Sequence, residues 1–326
     1  PMADLELTLA CWDYDRTRPL IDGRVKPEGI KLNIEVLRPR QMFPRMLEHQ
    51  EFDASEISLA SHASLIGRGN SPFVAIPVML SKIFRHSCFY VRAGSGIERP
   101  EDLRGKRVGT TQFTATATTF MKGMLEHEYG VAQHEMHWFM GGLDKPTEHP
   151  LIPLNLPSNV KLDFVPDGDT LEKMMAEDRL DALISIYIPP SFLKGSPRIK
   201  RLFPDYKQAE KDYYRKTGIF PIMHTLALRA DTYKANPWIA KSLYDAFEKA
   251  RALALDELYD TDALRLGLPW LLEHVEELWS VFGESWWSYG VEANRATLTA
   301  LGQYVFEQGV SPRVVTPEEM YVPDVR

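Results

Sequence analysis

Several short segments of this chain hold residues whose types and spacing suit chemistry. Arg16 and Arg18 lie two apart in the loop Trp12-Asp13-Tyr14-Asp15-Arg16-Thr17-Arg18-Pro19. A planar guanidinium grips a carboxylate through two parallel hydrogen bonds, so this loop is a candidate reader of anions. The plainer alternative is a surface loop closed by its own Asp–Arg pairs. Arg85-His86 sets a fixed cation beside a titratable imidazole, against the alternative of a structural ion pair and a core histidine. His224 interrupts the apolar run Pro221-Ile222-Met223-His224-Thr225. An imidazole there is either satisfied by backbone groups or used to move a proton. Thr110-Thr111-Gln112-Phe113-Thr114-Ala115-Thr116 passes from a strand pattern into a helix pattern, where hydroxyls and backbone N–H groups favour an anion.

Other chemistries find less support. His134-Glu135-Met136-His137, with His127 and His149 nearby, matches no usual zinc spacing, so solvated or capping histidines are expected and no metal site is assigned. There is no Gly-rich phosphate loop ending in Lys, no Gly-x-Ser-x-Gly elbow and no dinucleotide fingerprint. The formal net charge of −7 over 326 residues, with no basic stripe, argues against nucleic acid as a partner. It leaves room for a small anion held by local arginines. No apolar run reaches the roughly 18 residues of a membrane span. No basic stretch followed by an apolar run opens the chain, so a cytoplasmic location is expected. The two cysteines, Cys11 and Cys88, sit in apolar strand-like runs and read as buried free thiols.

The elements that must position these residues follow from periodicity. Leu5 to Cys11 and Ile30 to Val36 alternate as strands, Pro39 to Glu51 reads as a helix, and Phe52 to Leu59 and Phe73 to Met79 as strands. Ile83 to Arg92 reads as one long strand leaving this unit. A second unit alternates strand and helix: a short helix and strand from Pro100 to Thr110, a helix from Thr111 to Tyr129, strands at 160–165 and 182–188, and a helix at 170–177. Phe220 to Arg229 reads as the returning strand. Ile239, Leu243, Phe247, Ala250 and Ala254 then mark one face of a helix, and Leu301, Tyr304, Val305 and Gln308 continue the theme. The expected architecture is α/β with two lobes, joined by two crossover strands and closed by a C-terminal helical segment. Residues 1–88 and 225–326 form the first lobe and 89–224 the second. Ligands of such sheets sit beyond the carboxyl ends of strands. That rule selects residues 14–18, 55–58, 84–86, 110–114, 185–189 and 222–225, and adds Asp15, Glu56 and Ser58 to the candidates.

Short motifs then carry a resemblance. Phe84-Arg85-His86-Ser87, Glu128-Tyr129-Gly130-Val131, His137-Trp138 with Gly141-Gly142, Pro221-Ile222-Met223-His224, and Tyr304-Val305-Phe306-Glu307-Gln308-Gly309 followed by Thr316-Pro317-Glu318-Glu319 occur in this order. Together, from Leu5 to Pro323, the chain resembles the 4,5-dihydroxyphthalate decarboxylase family. The resemblance implies a type II periplasmic-binding-protein-like fold used as a cytosolic enzyme, with loss of one carboxylate as CO2 to give protocatechuate. Such a carboxy-lyase needs an acceptor for a ring hydroxyl, an acid for the ring carbon that loses CO2, and cations for the carboxylates. No cofactor is expected, because the phenol itself is the electron sink. On chemistry and position, His86 and His224 are the expected proton-transfer pair, in either order, and Glu56 or Asp15 the acceptor of the ring hydroxyls. Arg16 and Arg85 are the expected carboxylate anchors, with Arg18, Ser58, Thr110, Thr111 and Thr114 assisting, all in an interlobe cleft. The expected partner is a small aromatic carboxylate, not nucleic acid or membrane, and assembly into a homo-oligomer stays open. Two other readings stay open too: a non-catalytic solute-binding protein, or another cytosolic enzyme on this fold, such as a menaquinone-pathway dehydratase or a thiamine-pyrimidine synthase.

Overall fold

A computed structural model describes residues 4–147 and 155–326. Among the described residues there are eleven strands, β1 to β11 in chain order. The first four are β1 (Leu5–Cys11), β2 (Ile30–Val36), β3 (Ala54–Ser58) and β4 (Phe73–Lys82). Next come β5 (Phe89–Arg92), β6 (Arg107–Thr110), β7 (His137–Met140), β8 (Lys161–Phe164), β9 (Ala182–Ile184) and β10 (Ile199–Arg201). The last is β11 (Ile222–Arg229).

These strands form two sheets, ordered β2-β1-β3-β11-β4 and β10-β5-β9-β6-β7-β8. In the first, β1 runs parallel to β2 and β3, while β11 enters antiparallel between β3 and β4. In the second, β6, β7, β8 and β9 are parallel neighbours, and β5 is antiparallel to β9 and β10. Parallel pairs need helical crossovers, which explains the strand–helix alternation in the sequence.

The chain divides into two compact units. One comprises 1–82, 222–298 and 315–326; the other comprises 83–221 and 299–314. Residues 299–314 therefore group with the second unit, whereas the sequence reading had assigned all C-terminal helices to the first. The face read from Leu301, Tyr304, Val305 and Gln308 is buried, as helical spacing requires.

The first unit's core has a simple sequence basis. Met42 and Met46 lie one turn apart on the helix Pro39–His49 and pack with Ala10, Phe52, Ile57, Phe73 and Ala227. The helix Ile239–Leu258 buries Ile239, Leu243, Phe247, Ala250 and Ala254. In the second unit, Tyr90, Leu171, Met174, Leu180, Leu183 and Ile199 form the corresponding cluster. Asp181 anchors that sheet by accepting from Arg92 and Arg107, each at 3.0 Å. Burial alone would raise its pKa, but these guanidinium and backbone hydrogen bonds hold it at about 2.

Three segments differ from their sequence reading, the first being the strand expected at 182–188, which covers only Ala182–Ile184. Residues 83–92 are not one strand: a 3-10 turn occupies His86–Cys88 and only Phe89–Arg92 is extended. The helix expected from Thr111 begins at Thr116. The intervening residues turn because Phe113 is buried, with its N–H against Met140 Sδ, and the Thr118 hydroxyl donates back to the Gln112 carbonyl. Cys11 and Cys88 are buried free thiols.

Candidate functional site

Glu56 is fully buried in the middle of β3. A carboxylate removed from water in this way must be paired or neutralised. The sheet supplies the pairing. In the antiparallel β3–β11 register Glu56 lies opposite Leu226, and His224 lies opposite Ser58. Glu56 and His224 are thus diagonal neighbours on one face, within reach of long side chains. His224 Nδ1 is 2.6 Å from Glu56 Oε1. The β1–β3 register, with Ala10 opposite Ser55, brings the end of β1 beside the same carboxylate. The Trp12 N–H donates to Glu56 Oε2 at 2.9 Å, and the Tyr14 hydroxyl donates to Oε1.

Three donors therefore converge on one carboxylate. Burial pushes the Glu56 pKa up, but the hydrogen bond and charge of His224, then Tyr14 and the Trp12 amide, outweigh it and hold the group below its usual value. Burial, and then the Glu56 charge, push the Tyr14 phenol well above its ordinary range. Cys11 is raised by the same two causes. Tyr14 thus stays a neutral donor, and Glu56 stays an anionic acceptor. Phe43 meets the His224 ring edge-on at 4.9 Å, which limits its rotation. The side chain of His224 is 18% exposed, while that of Glu56 is closed to solvent. The pair is an imidazole with one nitrogen fixed on a buried carboxylate and Nε2 left for other chemistry.

The same loop carries the two candidate arginines, and their surroundings differ. Arg18 is paired with Asp13 on a partly exposed surface. Arg16 is largely enclosed. Nη1 bonds to Asp15 at 2.8 Å and Nη2 to the Leu80 carbonyl at 2.6 Å. Its guanidinium lies 3.9 Å from the Trp287 ring and 4.7 Å from the Tyr14 ring, and Nε is buried without a hydrogen-bond partner. Ser58 caps the helix Leu59–Arg68 by accepting the Ser61 N–H. His62, in that helix, is buried with Nε2 2.7 Å from the Met320 carbonyl.

The remaining candidates lie in the second unit. His86 is 2% exposed and packed against the rings of Phe203 and Tyr213, with Nδ1 unpartnered. Burial lowers its pKa to about 4. Arg85 reaches Cys88 Sγ at 3.9 Å, with Nε buried and unpartnered. Burial raises Glu210 to about 7 against the opposing pull of the Ser87 and His86 amides and Arg85. Thr110 is buried with its hydroxyl unpartnered, while Thr111 and Thr114 are partly exposed in the turn before the helix. The histidine cluster is structural: His137 pairs with Asp163, His127 with Glu307, and Glu135 caps the Ala132 N–H. His149 lies outside the described residues. Among the described residues, no group of three or more His, Cys, Asp or Glu side chains is placed to hold a metal ion.

Tyr14 is the site residue that sequence reasoning passed over. Its one signal was its position among residues 14–18 after the first strand. Glu56 and His224 were each singled out, but their partnership depends on a register between residues 168 positions apart.

The two sheets define the chain as an α/β protein of the periplasmic-binding-protein-like fold class. A periplasmic sulfonate-binding protein from Methylobacillus flagellatus matches with a TM-score of 0.58 at 15% identity, over 99% of this chain and 93% of that one. Residues 69–141 match a family model described as NMT1/THI5 like. The 4,5-dihydroxyphthalate decarboxylase of Comamonas testosteroni is 36% identical over 322 residues, which is 99% of this chain and 98% of that protein. The enzyme of the same name from Pseudomonas putida is 35% identical over 214 residues, or 66% of this chain and 83% of that one. The chain belongs to the 4,5-dihydroxyphthalate decarboxylase family. Among the described residues no helix is long and apolar enough to cross a membrane.

Proposed function

We propose that this protein is a carboxy-lyase that converts 4,5-dihydroxyphthalate to protocatechuate and CO2, with His224 as the acid that protonates the ring. Family membership supports the reaction. The observation that supports the residue assignment is the bond between His224 Nδ1 and the buried Glu56 carboxylate, at 2.6 Å.

The chemistry sets the requirements. Breaking an aryl–carboxylate bond directly leaves an unstable carbanion in the ring plane. Protonating the ipso carbon first avoids it. The hydroxyl para to the departing carboxylate passes its proton to solvent water, and its electron pair moves through the ring to the ipso carbon, which takes a proton from His224. The carbon–carbon bond then breaks, its electrons restore the aromatic ring, CO2 leaves, and the phenolate oxygen regains a proton. The net change is one proton consumed and one CO2 released.

Glu56 suits the supporting role. Held as an anion, it fixes Nδ1 as the bonded nitrogen and leaves Nε2 as the nitrogen that delivers the proton. The neutral phenol of Tyr14 completes the carboxylate's shell, so Glu56 does not compete for the proton. We further propose that the reaction needs no resident cofactor, since the para hydroxyl supplies the electrons, and that the protein acts in the cytoplasm.

The test is direct. Purified protein incubated with 4,5-dihydroxyphthalate is expected to release CO2 and form protocatechuate, and in D2O to place deuterium on the carbon that lost CO2. Absence of turnover would overturn the substrate assignment. Turnover with an unchanged kcat in His224→Asn would overturn the assignment of the acid.

A further inference from the structure

Tyr14 reaches Glu56 from a loop, and loops do not by themselves hold a side chain to a fraction of an ångström. Something has to hold this one. Strand β4 carries Pro77, which has no N–H for the ladder, and the β4–β11 register shifts between the pairs His224/Ser81 and Leu226/Ile76. Because β4 is also the edge strand of its sheet, alternate carbonyls along it are open to other donors. The loop at residues 283–294 takes two of them. Gly290 N–H donates to the Pro77 carbonyl at 2.9 Å, and Trp287 Nε1 donates to the Met79 carbonyl at 2.9 Å. Arg16 Nη2 takes the next carbonyl, that of Leu80.

This places the Trp287 ring 3.9 Å from the Arg16 guanidinium, which in turn lies 4.7 Å from the Tyr14 ring. The Arg16 guanidinium thus lies over two aromatic rings and is tied by hydrogen bonds to Asp15 and the Leu80 carbonyl. The loop is secured behind Trp287. Lys82 Nζ, at the end of β4, donates to the Ser288 carbonyl at 2.9 Å and to Asn294 Oδ1 at 2.7 Å. Asn294 Nδ2 donates in turn to the Ser288 and Gly290 carbonyls. A segment more than two hundred residues along the chain thereby braces the first loop.

We propose that Trp287 and Arg16 are positioning residues for the decarboxylation: Trp287 clamps the Arg16 guanidinium against Tyr14, and this clamp fixes the Tyr14–Glu56–His224 hydrogen-bonded unit. Arg16 then acts through Tyr14 and is not a carboxylate anchor. The inference rests on the assignment of His224 as the acid, but the clamp is a property of the unliganded protein and is testable without turnover.

The experiment compares wild type, Trp287→Phe, Trp287→Leu and Arg16→Lys. The readouts are kcat and KM for 4,5-dihydroxyphthalate and, without substrate, the Nδ1 proton and nitrogen resonances of His224 in histidine-labelled protein, assigned with His224→Asn. Trp287→Leu and Arg16→Lys are expected to lower kcat about tenfold or more with KM within about threefold of wild type, and to broaden or shift the His224 Nδ1 resonance. Trp287→Phe keeps a ring over Arg16 and is expected to restore most of both signals. An unchanged His224 resonance and kcat in folded Trp287→Leu and Arg16→Lys would overturn the clamp. So would a rise in KM of tenfold or more at constant kcat, which would make Arg16 a substrate contact. Should Trp287→Leu fail to fold, Arg16→Lys decides by the same criteria. Wild type without turnover but with a His224 resonance sensitive to Trp287→Leu would remove the reaction and leave the clamp.

Discussion

The two histidines that stand out in the sequence occupy opposite kinds of interior. Around His224, in the first unit, a buried carboxylate collects three donors and holds one nitrogen of the ring. Around His86, in the second, two aromatic rings enclose an imidazole with Nδ1 unpartnered. His86 is 2% exposed and His224 18%, and what separates them further is the partner. A buried charge with its partners survives as a charge, whereas a buried base without one gives up its proton. His86, lowered to about 4, is neutral in ordinary buffers and has no acid proton to offer the ring at such pH values. The comparison teaches that burial marks a histidine as constrained, and that only its partner says whether it is constrained for chemistry or for packing.

Removing the shared partner should produce the largest effect. Glu56→Gln is expected to lower kcat by about 10²–10⁴-fold, because His224 loses the carboxylate that fixes its Nδ1. A steady-state assay beside a circular dichroism spectrum checks it, and a folded variant with wild-type kcat would detach Glu56 from the reaction. The same group carries a stability signature. Its pKa is lowered from 4.5 in the folded protein, so its contribution is present above about 4.5 and is lost as pH falls through the folded value. Urea midpoints of wild type are therefore expected to fall more steeply than those of Glu56→Gln below that pH.

Which parts of this were legible beforehand follows from the range of each signal. Strands β1 and β2 show plain alternation, and the helix Ile239–Leu258 shows its apolar face, because both are local patterns. Strands β7 and β10 were not read as strands. They are four and three residues long, too short for alternation to register, and their pairing supplies what the pattern lacks. Residues 83–92 were misread because the apolar stretches on either side, Ile83-Phe84 and Cys88-Phe89-Tyr90-Val91, mask the polar break at which the 3-10 turn His86–Cys88 sits. Glu56 was legible as a charge within a strand. Its link to His224 was not, since it is a diagonal contact set by the β3–β11 register. Tyr14 was missed because a tyrosine in a loop already rich in aromatic and charged residues has no distinguishing spacing.

The second unit offers the next test. His86 has its pKa lowered from 6.5 to about 4 by burial, so the unfolded chain binds this proton first. Stability from this group is full above about 6.5 and falls as pH drops toward about 4, by at most about 3 kcal/mol. His86→Phe removes the titration and keeps an aromatic packing partner. The slope of urea midpoint against pH between about 6.5 and 4 is expected to flatten in that variant. A slope equal to wild type would mean that His86 is not the buried neutral base described here.

The smallest effect is expected at Arg18. Its pair with Asp13 is partly exposed, with the arginine side chain at 42%, and such pairs contribute about 0–1 kcal/mol. Arg18→Ala should leave kcat and KM within about twofold of wild type and Tm within about 3 °C. A tenfold rise in KM would return Arg18 to the substrate.

The contrast between the two histidines is tested most directly by measuring kcat for 4,5-dihydroxyphthalate in His224→Asn and His86→Phe side by side, at one pH near neutrality. The expected result is a loss of about 10²–10⁴-fold in His224→Asn and a kcat within about threefold of wild type in His86→Phe. The reverse pattern, with His86→Phe inactive and His224→Asn unimpaired, would contradict the account and move the acid to the second unit.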